Sequence, residues 1–61
     1  MMQEVKELKA FRGYGISKAW KIDLWGHKVK GSDIYLVDDG EDYIGEEYST
    51  LEEAKRFIKT L

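Results

Sequence analysis

The chain has no cysteine and no proline. Without cysteine there is no disulfide, no thiolate metal site and no thiol nucleophile, and nothing points to an oxidising compartment. Without proline no stretch is marked as a stiff linker, and neither a repeat nor a low-complexity tract divides the sequence. Long apolar runs are missing too. None approaches the roughly 20 residues that span a bilayer, and the opening MMQEVKELKAF lacks the cationic-then-apolar layout of a secretory signal. The expected setting is cytoplasmic, with no membrane partner.

Histidine is almost absent as well: His27 stands alone. With no cysteine beside it and no serine at a motif spacing, it lacks the partners of a nucleophilic site and reads as a solvated turn residue. The acidic run DDGEDYIGEE has carboxylates in number but not the ligand spacing of a calcium loop. The glycines of RGYG do not complete a phosphate-binding pattern. A chain this short also has little material for a deep, water-excluding pocket. No enzymatic activity, cofactor, metal or small-molecule substrate is expected.

What is present fits one small domain over residues 1–61. A chain of this size buries only about 60% of the surface that its unfolded form exposes, so large apolar residues are claimed first by the core. At 43% hydrophobic and 36% charged the chain is too apolar for disorder. Net charge is −2, distributed unevenly. Met1 to Lys30 carries seven basic and three acidic residues, and Gly31 to Leu61 three basic and nine acidic. Such polarity steers charged partners or draws the two halves of one fold together.

The clearest element is the last. In STLEEAKRFIKTL, Leu51, Ala54, Phe57, Ile58 and Leu61 recur at the spacing that lines one helix face. Thr50 is a good N-cap, and Glu53 can complete a capping box by reaching back to the Thr50 N–H. The middle reads as three strands: WKIDLW, then Ile34 to Val37, then Tyr43 to Glu46 after a turn at DDGED. The first ten residues fit a short helix, which their helix-former content favours, or an extra strand.

The expected fold class is α+β: a three-stranded antiparallel sheet packed by a C-terminal amphipathic helix. The candidate core is Trp20, Ile22, Leu24, Ile34, Leu36, Ile44, Tyr48, Leu51, Ala54, Phe57, Ile58 and Leu61. By alternation, Lys21, Trp25, Tyr35 and Tyr43 then look away from the helix, and an exposed aromatic patch calls for a partner.

Two kinds of partner fit. Aromatics mixed with charges of both signs suit a protein partner or a homodimer, bound through Trp25, Tyr35, Tyr43 and Lys21. Arg12, Lys18, Lys21, Lys28 and Lys30 suit phosphate contacts on a nucleic acid. The order RG, WKIDL, YIGEEYSTLEEAKRF resembles the ethylene-response-factor type DNA-binding domains and the amino-terminal domains of phage integrases. The matching positions are Arg12, Gly13, Trp20, Leu24, Gly45, Tyr48, Thr50, Glu52, Glu53 and Ala54. That resemblance implies a three-stranded sheet that reads DNA. A sequence pI near 5.3 disfavours nucleic acid, because duplex affinity is dominated by phosphate neutralisation. The leading expectation is a non-enzymatic interaction or regulatory module, similar in size and style to accessory proteins of phages and mobile elements, inhibitors among them.

Overall fold

The computed structural model describes residues 2–61. Four strands run in chain order, β1 (Met2–Glu7), β2 (Gly15–Ile22), β3 (Ile34–Asp38) and β4 (Tyr43–Tyr48), followed by one helix, α1 (Leu51–Ile58). They form a single antiparallel sheet in the order β1-β2-β3-β4. The α+β class and the C-terminal helix stand as expected, but the sheet has four strands rather than three.

The additional strand is the N-terminal segment, for which a helix was the favoured reading. It pairs with β2 in an unbroken register from Met2 opposite Ile22 to Glu7 opposite Ser17. Helix-former content is a weak preference of tenths of a kcal/mol per residue, and a ladder along a whole strand outweighs it. The two strands are joined through a tight turn. Phe11 and Tyr14 exchange backbone hydrogen bonds of 2.9 and 3.0 Å around Arg12 and Gly13, whose φ values are +52° and +84°. Two positive φ values in succession match the hairpin turn that follows the natural twist of paired strands.

The next strand begins at Gly15, not at Trp20, and ends where Asp23 folds the chain over. That shift relocates the core. Its buried residues are Ile16, Val37, Ala54 and Ile58, with Leu8, Phe11, Tyr14, Tyr35, Ile44, Tyr48, Leu51 and Phe57 packed around them. Ile16 sits opposite Val37 across β2 and β3, and α1 packs over β3 and β4 to close the cluster.

Several placements therefore differ from expectation. Trp20 and Ile22 are half-buried and lie outside the core cluster. Leu24 and Leu61 are exposed, the first at a loop tip and the second beyond the end of α1. On β3 the faces are exchanged: Tyr35 and Val37 meet the helix-side cluster, and Ile34 and Leu36 take the other side. A run in which every residue from Ile34 to Val37 is apolar satisfies either assignment, so alternation cannot choose between them.

The helix start follows its local chemistry closely. Thr50 Oγ1 accepts the Glu53 N–H at 3.2 Å. The Glu53 carboxylate reaches back one residue further than a standard capping box and accepts from the backbone and hydroxyl of Ser49, at 3.3 and 3.1 Å. Tyr48 and Phe57 stack with ring centroids 5.6 Å apart, fixing α1 against β4.

Candidate functional site

The expected outward patch does not assemble. Tyr35 is half-buried on the helix side, against the core. Lys21 and Tyr43 lie on the opposite face but at opposite ends of the sheet. Tyr43 faces Asp38, which faces Gly15, so the length of β2 from Gly15 to Lys21 separates them, about 20 Å of extended chain. Lys21 instead borders an open groove of about 490 Å³ shared with Gln3, Lys30, Ile34 and Glu47. Trp25 belongs to none of these surfaces.

Trp25 stands at the tip of the β2–β3 connection. Beyond Ile22 the chain folds back so that Ile22 bridges Lys28, and the Val29 N–H donates to the Lys21 carbonyl at 2.9 Å. At the tip, the Asp23 N–H donates to the His27 carbonyl at 2.8 Å and the Gly26 N–H to the Asp23 carbonyl at 3.1 Å. The Asp23 carboxylate accepts the N–H groups of both Trp25 and His27 at 2.9 Å. Short polar side chains stabilise turns by satisfying nearby backbone donors in this way. The tip is consequently pinned at four backbone positions while its side chains point outward: Leu24 is 84% exposed and Trp25 79%. His27 is exposed on the same turn.

Leu24 is the site residue that alternation missed, having been assigned to the core. The readable signal was Asp23 followed three positions later by Gly26, the residue pair favoured at the two ends of a type I turn. It overrides the two-residue pattern of WKIDLW.

The basic candidates are also dispersed. Arg12 lies in the β1–β2 turn with its guanidinium 5.7 Å from the Phe11 ring centroid. Lys18 and Lys28 both face Asp33, with Nζ to Oδ1 distances of 3.8 and 2.8 Å. Each also lies over an aromatic ring: Lys18 is 6.0 Å from the centroid of Tyr35, and Lys28 5.5 Å from that of Trp20. This cluster continues the helix-side face beyond the reach of α1. Lys21 and Lys30 remain exposed on the loop side.

The Asp33 carboxyl is held below its usual value of 3.8, chiefly by the hydrogen bond from Lys28; partial desolvation opposes this, and the charges of Lys28 and Lys18 add to it. A depressed carboxyl pKa contributes stability that is present above the unfolded value and lost as pH falls through the folded one. Carboxyl NMR titration is therefore expected to give Asp33 a midpoint below 3.8, and Lys28→Ala should raise it more than Lys18→Ala does. Equal shifts from the two variants would contradict the geometry.

The acidic run between β3 and β4 is a self-capped turn. Asp39 Oδ1 accepts the N–H groups of Glu41 and Asp42 at 2.9 Å, and Asp38 accepts that of Gly40 at 3.0 Å. Those two backbone donors hold the Asp39 carboxyl below its ordinary range. Among the described residues no group of three or more acidic or histidine side chains is arranged to hold a metal ion. Among the described residues no helix is long and apolar enough to cross a membrane. No family model, no curated protein and no solved structure matches the chain.

Proposed function

We propose that the chain is a non-enzymatic interaction module that binds another protein through the Leu24–Trp25 tip. The observation that carries this reading is the pairing of two large, almost fully exposed apolar side chains with a turn held by backbone hydrogen bonds. An anchor that is already ordered loses little conformational freedom on binding, and tryptophan is the residue most enriched where interfaces concentrate their affinity. Lys21 and Lys30 lie at the base of the folded-back segment that carries the tip, and take part in no ion pair among the described residues. The partner surface that fits is an apolar pocket with an acidic rim. A small regulator or inhibitor is the kind of protein this suits. The nucleic-acid reading carries less support, because Lys18 and Lys28 are committed to Asp33 and the other basic candidates do not share a surface with them.

The test compares the parent with Trp25→Ala, first by crosslinking to identify the partner and then by titration of the purified pair. Truncation of a central anchor costs about 2 kcal/mol or more, so the Kd is expected to rise about 30-fold or more while the circular dichroism spectrum is unchanged. Undiminished affinity of the variant would overturn the reading. So would tip-dependent binding to anionic vesicles in place of a protein.

A further inference from the structure

The two edges of the sheet differ in how they are guarded. At β4 the register with β3 is broken between the Tyr35 and Val37 pairings, Gly45 adopts φ +75°, and Glu46 and Glu47 lie on the strand. Bulges and charged side chains are the usual devices against edge-to-edge pairing; β1 is charged too, at Glu4, Lys6 and Glu7, but with both signs, which a second copy can match. At β1 there is no bulge, the register with β2 is unbroken, and every residue from Met2 to Glu7 is exposed.

The direction of the free backbone groups on β1 follows from its ladder. The Leu8 N–H donates to the Ile16 carbonyl at 2.8 Å, in line with the β1–β2 register. Antiparallel pairs alternate between those that exchange hydrogen bonds and those that do not. Leu8, Lys6 and Glu4 therefore turn their backbone groups toward β2, and Gln3, Val5 and Glu7 turn theirs outward. On the far side of β2 the same alternation holds, since Lys21 directs its N–H to Ser32 and its carbonyl to Val29.

We infer that β1 pairs antiparallel with β1 of a second copy of this chain, about a two-fold axis at Val5, joining the two sheets into one. In this register Val5 faces Val5 of the second copy and Gln3 faces Glu7, so every outward N–H and carbonyl of the strand meets a partner. Glu4 then lies opposite Lys6 of the second copy, and Lys6 opposite Glu4. These are the pairs that exchange no backbone bonds, where side chains approach most closely. Moving the axis by one residue sets Glu4 against Glu4 or Lys6 against Lys6. Registers that set an odd residue opposite an even one waste the outward groups on atoms already bonded to β2. Moving it by two sets Glu7 against Glu7 or, about Gln3, leaves Glu7 without a partner, so one alignment alone satisfies the whole strand in both backbone and charge. Val5, 52% exposed in the single chain, gains an apolar neighbour across the axis. A contact along one strand is small for a protein interface, and the dimer is accordingly a weak one.

Sedimentation equilibrium up to about 1 mM chain, the upper end of weak association, reads the proposal. The parent is expected to show a monomer–dimer equilibrium that weakens as salt rises. Glu4→Lys and Lys6→Glu should each weaken it about tenfold or more, since either change turns two attractive pairs into repulsive ones. Combining them, Glu4→Lys with Lys6→Glu, should restore association, because the exchanged charges again meet opposites across the axis. Val5→Pro should abolish it while leaving the β1–β2 ladder intact, as the donor it removes points outward; circular dichroism checks that each variant is folded. A parent that stays monomeric throughout, or a dimer that Glu4→Lys leaves unchanged, would overturn the inference.

Discussion

Ile58→Ala is expected to remove most of the stability of this protein. The side chain is 2% exposed and joins Ile16, Val37 and Ala54 in the cluster of buried residues at the centre of the core. Truncating a buried isoleucine costs about 2–5 kcal/mol, part transfer and part cavity, and the cost is highest where neighbours cannot collapse into the space. Here they cannot: Ile16 and Val37 are held by the β2–β3 ladder and Ala54 by the helix. A domain of this length has about 3–9 kcal/mol to lose. Urea denaturation should show the midpoint collapsing toward zero denaturant. Leu24→Ala supplies the contrast. It removes as many carbons from a side chain that is 84% exposed, and surface substitutions of that kind stay within about 0.5 kcal/mol. Comparable losses for the two variants would mean that the core lies at the wrong end of β2.

That contrast also marks what the sequence could and could not reveal. The helix was legible because capping, charge placement and apolar spacing all agree between Thr50 and Ile58. Three of the four strands were legible as strands, but not their faces or limits. Ile34, Tyr35, Leu36 and Val37 are all apolar, and only pairing with Ile16 decides which of them reaches the helix. In β1, Glu4, Lys6 and Glu7 are good helix formers that stand on a sheet because β2 supplies a ladder for them, a long-range fact invisible to local preference.

The candidate site divides in the same way. Trp25 was identifiable as an outward aromatic, and it is. The reason assigned to it, a flat sheet face shared with Tyr35 and Tyr43, fails because strand alternation was carried through Asp23, where the chain has already turned. Turn chemistry takes precedence over alternation wherever a side chain can cap the backbone, since it satisfies donors that a strand would have to pair elsewhere. Leu24 is thereby moved from the core to the tip beside Trp25, and one exposed aromatic becomes an apolar pair.

Gly45→Ala is the second change expected to have a large effect, and two separable causes contribute. The first is the backbone: φ is +75°, a conformation that costs a side-chain-bearing residue about 1–2 kcal/mol. The second is space. A Cβ at this position would lie 2.7 Å from Tyr48 Oη and 2.8 and 2.9 Å from Cε2 and Cζ of Phe57. Those atoms belong to the stacked pair that joins β4 to α1, and Tyr48 Oη also accepts the Glu46 N–H at 3.3 Å. Neither ring can withdraw without loosening the helix, so overpacking should add about 1–3 kcal/mol to the backbone cost. Gly40→Ala isolates the first cause, because its φ is +100° but nothing lies within 4 Å of the added Cβ. The expected order of denaturation midpoints is parent, then Gly40→Ala, then Gly45→Ala well below both. Adding Phe57→Leu to Gly45→Ala should recover part of the loss, since the smaller side chain vacates the contested space, whereas Phe57→Leu alone should destabilise; such opposite signs mark direct contact between neighbours. Equal midpoints for the two glycine variants would show that the Tyr48–Phe57 stack yields freely, and would remove it as the joint between sheet and helix.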